Sequence, residues 1–176
     1  LIDLSKKKKV PMISSSPLRF SNEVINLKKY ISKNYNDLLT LKVTVPSNCI
    51  DLGDDPRLNS VFFYGIHGIE VLLEIADNKI KNFDVKYFNS SILCEIKFLN
   101  NKIFLFELIN NSNEFYWIDV FSKNHNMRYN INLDGSYYLN TLNFIFEKFM
   151  TNKELIKHES TFDAISILNH IESNKL

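Results

Sequence analysis

VFFYGIHGIEVLLEIA, residues 61–76, is the stretch on which the fold depends, because nothing in it separates helix from strand at first reading. Val61 to Tyr64 is a short apolar run, Gly65 and Gly68 bracket Ile66 and His67, and Ile69 to Ile75 is apolar again apart from Glu70 and Glu74. Apolar runs this short are not assigned by periodicity alone. Asp77-Asn78-Lys79 follows with the composition of a hairpin turn, so the stretch reads as two strands, the second returning through Ile80 to Tyr87. A short helix over Ile69 to Ile75 is the other reading. With strands here, the middle of the chain becomes an antiparallel meander.

The flanking segments carry clearer signals. Leu41 to Val45 alternates as a half-buried strand and Pro46 closes it. Leu93 to Phe98 and Lys102 to Glu107 alternate on either side of Asn100-Asn101, and Asn tolerates the positive φ that a two-residue hairpin turn needs. Glu114 to Val120 and Met127 to Leu133 add two more strands. On the N-terminal side, Ser21 is placed to cap a helix bearing Val24, Leu27 and Ile31 at helical spacing. After Gly135 the period lengthens: Leu142, Ile145, Phe146, Phe149 and Met150 form one stripe on a helix from Leu139 to Met150, a face expected to be buried. Ser160-Thr161-Phe162-Asp163 has the form of a capping box for a last helix with Phe162, Ile165 and Leu168 inward. The expected fold class is α+β, an antiparallel β meander with an N-terminal helix and C-terminal helices packed on one face. Residues 1–17 are expected to be an extended basic arm and residues 18–176 a single α+β domain.

Composition narrows the function classes. With 45% hydrophobic and 13% aromatic residues, the chain has the apolar area to fold. Lys plus Arg number 21 against 20 Asp plus Glu, and Arg occurs only at 19, 57 and 128, so a globally basic nucleic-acid binder is excluded. No apolar run approaches the roughly 20 residues of a membrane span. Asn, Lys, Ile and Phe dominate as an AT-rich or organellar genome would write them. Leu1 in place of Met fits a non-standard organellar start, a processed chain or a trimmed one.

Few residues stand in patterns that chemistry requires. Asp84 followed by Glu95 and Lys97 has the spacing of restriction-type nuclease elements, which would hold Mg²⁺ between two carboxylates. His67, between two glycines, has the setting of a general base close to a ligand. Asp51, Asp54 and Asp55 form an acidic loop without calcium-loop spacing, and the four histidines and two cysteines lack zinc-ligand spacing. Cys49 and Cys94 read as buried thiols. Phe115-Tyr116-Trp117 reads as core with Tyr116 facing away from its neighbours. No Gly-rich phosphate loop occurs. The expectation is therefore no catalytic residue, no metal site and no cofactor.

A non-catalytic subunit of a large organellar assembly, a mitochondrial ribosomal protein, fits these readings best. Lys6, Lys7, Lys8 and Lys9 are the candidate interaction residues, reaching RNA while the body contacts protein subunits. The segment Phe115-Tyr116-Trp117-Ile118-Asp119, followed by Leu139-Asn140-Thr141-Leu142 with Phe146 and Phe149, resembles the SUKH immunity superfamily. That resemblance implies a bacterial cytoplasmic toxin-neutralising protein, although the family's Leu-Pro-x-x-Tyr entry is missing. A metal-dependent nuclease is the third reading.

Overall fold

Residues 61–76 form one helix of 16 residues, not two strands. The structure is a computed structural model that describes residues 2–8, 10, 12–49, 60–151 and 158–175. In chain order the elements are α1 (Ile2–Lys8), a 3-10 turn (Pro17–Phe20), α2 (Asn22–Asn34), β1 (Leu38–Pro46), α3 (Val61–Ala76), β2 (Ile80–Tyr87), β3 (Ser91–Phe98), β4 (Ile103–Ile109), β5 (Trp117–Ser122), β6 (Asn126–Asn130), α4 (Ser136–Thr151) and α5 (His158–Ser173). Residues 2–8 are thus helical where extended chain was expected.

The polar residues of α3 explain its conformation. His67, Glu70 and Glu74 fall at i, i+3 and i+7 and share one edge, while nearly every other position is apolar. A helix that is apolar almost all round must be enclosed by neighbours. Ser60 caps its N-terminus, and Asp77, in the left-handed region at φ 40°, ends it with its N–H on Leu73 O. The presumed hairpin turn is therefore a helix C-cap.

One consequence is topological. The sheet has six strands in the order β2-β3-β4-β1-β5-β6. β1 and β4 are parallel, and every other neighbouring pair is antiparallel. Following those directions across β3 and β4, β2 runs the same way as β1, so β1–α3–β2 is a crossover that no hairpin could make. The fold is α+β with a mixed, partly parallel sheet and a Rossmannoid crossover, flanked by N- and C-terminal helices. It is not the antiparallel meander expected.

Packing places α3 directly on β1 and β4. A Cβ on Gly68 would stand 2.6 Å from Val45 Cγ1 and 2.9 Å from Phe106 Cε2, whereas one on Gly65 would meet the flexible end of Leu168 at 2.9 Å. Gly68→Ala should therefore destabilise by about 1–3 kcal/mol through overpacking. Gly65→Ala should be close to neutral, because the gain of ~1 kcal/mol in helix propensity offsets the displaced Leu168 methyl. Urea unfolding of the two variants checks this, and equal costs would contradict it. α5 crosses α3 and reaches β2, where His170 meets Phe83 edge-on at 5.3 Å and Tyr87 donates its hydroxyl to Ile171 O.

Of the other expected elements, α2 forms as its spacing implies, whereas α5 turns Phe162 and Ile165 outward and buries Ala164, Ile167, Leu168 and Ile171 instead. The Ser21 hydroxyl accepts Val24 N–H at the start of α2. β3 and β4 do form a hairpin, but its loop is three residues, Leu99 to Asn101, and not the two-residue turn expected, with Asn101 alone at positive φ, 63°. α5 starts at His158, ahead of the expected capping box, and the Thr161 hydroxyl is engaged with Ser14 O and Glu70. The sheet face away from α3 carries Lys42–Glu107, Glu95–Lys97 and Asp119–Arg128 ion pairs. Among the described residues no helix is long and apolar enough to cross a membrane.

Candidate functional site

The polar edge of α3 meets the segment that precedes the 3-10 turn. Pro17 presets the backbone at the turn's first position, and the Ser16 hydroxyl caps it by accepting Leu18 N–H at 3.2 Å. This turns Ser16 inward. Its backbone N–H donates to Glu70 Oε2, and its hydroxyl lies 2.7 Å from His67 Nδ1. Glu70 is 2% exposed, and its other oxygen accepts the Thr161 hydroxyl at 3.2 Å. One residue of α3 thus ties the N-terminal segment to α5.

A second layer of charge extends along the same edge. Arg19 lies with Nη1 3.9 Å from Glu70 Oε2, and it donates from Nε at 3.0 Å and from Nη2 to Glu74 Oε2. Lys28 of α2 reaches the other Glu74 oxygen. Burial pushes the Glu74 carboxyl up, but the Arg19 and Lys28 cations outweigh it and hold it below the usual range. Burial lowers His67 from its ordinary value near 6.5, so the ring is neutral at pH 7.

Both shifts have the same sign for stability. The unfolded chain binds protons more readily at each group, so stability is present above the unfolded values and falls as pH drops through the folded ones. Melting temperature should decline in two stages, the first beginning below pH 6.5 from His67 and the second below pH 4.5 from Glu74. His67→Gln should remove the first stage and leave the second, which thermal unfolding across pH would show.

The surroundings of the imidazole are aromatic. Tyr116 stands edge-on to His67 with ring centroids 6.2 Å apart, and Tyr64 lies one turn earlier on α3 beside Cys49. Burial holds both phenols well above the usual tyrosine range, so they remain protonated hydrogen-bond donors. Ser16 holds one ring nitrogen of a neutral histidine and leaves Nε2 outside the pair. Such a group accepts or returns one proton near neutral pH.

The residues singled out in the sequence are distributed differently. Lys6, Lys7 and Lys8 lie on α1 with Lys7 and Lys8 exposed, while Lys9 lies outside the described residues, as do Asp51, Asp54 and Asp55. Asp84 and Glu95 are direct cross-strand partners, and Lys97 pairs with Glu95 at 3.3 Å. Yet among the described residues no three ligating side chains gather to hold a metal ion. Cys49 and Cys94 are buried, and the Cys94 thiol is pushed up to about 12, first by burial and then by Asp84 and Glu95. Phe115 and Trp117 stack at 4.4 Å while Tyr116 is buried. An open depression of about 330 Å³, lined by Lys28, Tyr35, Ile75 and Asn100 among others, lies at the far end of α3, and His67 does not line it. Of the residues at the site, sequence reasoning singled out His67 and missed Ser16, Arg19, Glu70 and Glu74. The i, i+3, i+7 spacing of the three α3 residues was the available signal.

No family model matches the chain, and no curated protein matches it. Solved structures do. Scyllo-inositol dehydrogenase from Lactobacillus casei, with bound NAD(H) and scyllo-inositol, superposes with a TM-score of 0.72 at 9% identity, over 94% of this chain and 62% of that one. A dehydrogenase from Chromobacterium violaceum gives 0.72 at 13%, over 97% and 63%. Myo-inositol 2-dehydrogenase from Lactobacillus plantarum gives 0.72 at 9%, over 96% and 64%. The chain spans less than two thirds of the length of these proteins.

The dinucleotide that the first of these binds was tested against the residues present. None of the four glycines lies in a Gly-x-Gly-x-x-Gly loop. At the N-terminus of α3, where a pyrophosphate would sit after the first strand, Val61 N–H faces the Glu172 carboxylate at 3.2 Å and Phe62 N–H is capped by Ser60. An anion there would meet a fixed negative charge. These residues do not form a dinucleotide cradle.

The fold nevertheless corrects the functional expectations. The mitochondrial ribosomal, immunity-protein and nuclease readings give way, and the non-enzymatic expectation with them, because the fold is one that solved dehydrogenase structures also have. The mitochondrial location rested on composition alone, and the matched structures are bacterial-type oxidoreductases.

Proposed function

We propose that the chain forms the substrate-side body of an NAD(H)-dependent oxidoreductase of the GFO/IDH/MocA-like kind, acting on a secondary alcohol of a polyol such as an inositol. His67 takes the hydroxyl proton as the carbinol carbon is oxidised and returns it in the reverse direction. The observation that carries this reading is the Ser16–His67 pair, a neutral imidazole held in one orientation inside a body shared almost end to end with inositol dehydrogenases. Tyr64 and Tyr116 supply donors of the kind that polyol oxygens accept. Hydride acceptance is not assigned to any of these residues.

The test is direct. Protein purified from its source, given NAD⁺ and scyllo- or myo-inositol, should form NADH, and His67→Gln should stop it without changing the circular dichroism spectrum. NADH formation that survives the substitution, or its absence with every polyol offered, overturns the proposal.

A further inference from the structure

α3 ends against its own local preferences. A helix commonly closes on glycine in the left-handed region, with a cation in its last turn to meet the negative end of the dipole. Here the closing residue is Asp77 at φ 40°, and the last turn holds no basic residue. Among the described residues no Lys or Arg pairs with Asp77. Its carboxylate therefore adds to the negative end of a 16-residue helix without compensation. Local rules broken in this way mark positions kept for function.

The open depression of about 330 Å³ lies at this end of the helix. Asp77 lines it, and so do Ile31, Tyr35, Ile75 and Ala76, so the C-terminal ends of α2 and α3 close on one space. Ile31, Ile75 and Ala76 are buried and give it an apolar wall. The Tyr35 hydroxyl oxygen accepts the Asn100 side-chain N–H, and Asn100 is fixed in that orientation because its Oδ1 accepts Lys102 N–H at 3.1 Å. This leaves the phenol proton to donate. Burial raises Tyr35 above its ordinary value, so that proton is retained. The cations closest to the depression are engaged elsewhere: Lys28 reaches Glu74, and Lys102 donates to Leu38 O while lying 5.1 Å from the Tyr35 ring centre. Lys33 offsets the dipole of α2, and nothing does so for α3.

We propose that this depression binds a small aliphatic amino alcohol, with its ammonium on Asp77 and the last carbonyls of α3, its carbon chain on Ile31, Ile75 and Ala76, and its hydroxyl on Tyr35. Asp77 and the helix end repel a carboxylate or phosphate from the same place. The site is separate from the proton chemistry. Asp77 lies ten residues beyond His67 along α3, about 15 Å at the helical rise, and the inference holds whether or not His67 serves polyol oxidation.

The protein as its source makes it is titrated with aminobutanol and followed by amide NMR. Saturable shifts of the Ala76 and Asp77 backbone amides and of the Asn100 side-chain amide are expected. Affinity should drop at least tenfold in Asp77→Asn, which keeps the size and tolerates the same backbone, and at least tenfold for butanol, which lacks the charge. Tyr35→Phe should weaken aminobutanol several-fold and leave butylamine unchanged. Asp77→Gly gives the reading that a merely structural role would reverse: it should raise the melting temperature, since glycine and loss of the charge both favour this helix end, while it abolishes binding. No saturable shift, shifts confined to other surfaces, equal affinity in Asp77→Asn, or a lowered melting temperature in Asp77→Gly overturns the proposal.

Discussion

Replacing Glu70 by Ala is expected to lower the unfolding free energy by about 3–5 kcal/mol, the range for breaking a buried charged pair from one side. Its carboxylate is 2% exposed and serves three elements at once: Ser16 N–H from the N-terminal segment, the Thr161 hydroxyl from α5, and the Arg19 guanidinium 3.9 Å away. Ala would strand a buried backbone donor and a buried hydroxyl, each costing about 1–3 kcal/mol, and would leave Arg19 with Glu74 as its acidic partner. Glu70→Gln should cost about half as much, because one oxygen of the same shape still receives Ser16 N–H. Glu74→Ala is the comparison: that residue sits nearer the surface, and a partly screened pair contributes ~1 kcal/mol. Denaturant midpoints of the three variants decide it. A loss below about 1 kcal/mol for Glu70→Ala would mean that the N-terminal segment is not held through this carboxylate.

That segment shows where sequence reading stops. The hairpin at Asn100-Asn101 could be recognised because its turn demands a positive φ that Asn supplies locally, here at Asn101, although the loop holds three residues and not two. Ser21 could be recognised as a cap for the same reason: its partner, Val24 N–H, is three residues away. The Ser16–His67 and Arg19–Glu74 contacts join residues 51 and 55 positions apart. Only the packing of the 3-10 turn on α3 creates them. Pro17 marks Ser16, unlike Ser14 and Ser15, as the cap of a turn, but nothing near it points to His67 before the chain folds.

The reading of residues 61–76 failed for a different reason. Strand and helix assignment relies on contrast between an apolar and a polar face, and α3 has almost no polar face because it lies between the sheet, α5 and the N-terminal segment. The informative residues were the minority: His67, Glu70 and Glu74 alone carry the helical period. Misreading them had a disproportionate effect. Two strands in place of one helix removed the crossover between β1 and β2, and with it the parallel part of the sheet. The α4 stripe is the reverse case, in which the period was read correctly and the structure leaves that face bare.

His67→Gln is expected to reduce kcat/KM for polyol oxidation by about 10²–10⁴-fold, the usual contribution of a positioned general base. Gln keeps the size and a hydrogen-bonding group toward Ser16 but takes no proton. Ser16→Ala acts differently, because it leaves the imidazole in place and removes the hydroxyl 2.7 Å from Nδ1, along with its cap on Leu18 N–H. Loss of that orientation should cost about tenfold in kcat with KM little changed, equivalent to ~1.4 kcal/mol of transition-state stabilisation. The pH profile separates proton transfer from packing. Burial lowers the folded His67 value, so the base form persists below its ordinary 6.5, and oxidation by the wild-type protein should stay level through pH 6.5 and fall only at lower pH. In Ser16→Ala, water entering the vacated space relieves the desolvation that causes the shift, and the acid limb should move to higher pH. An acid limb in the wild type at or above 6.5, or a His67→Gln enzyme as active as its parent, would remove this histidine from the proton path.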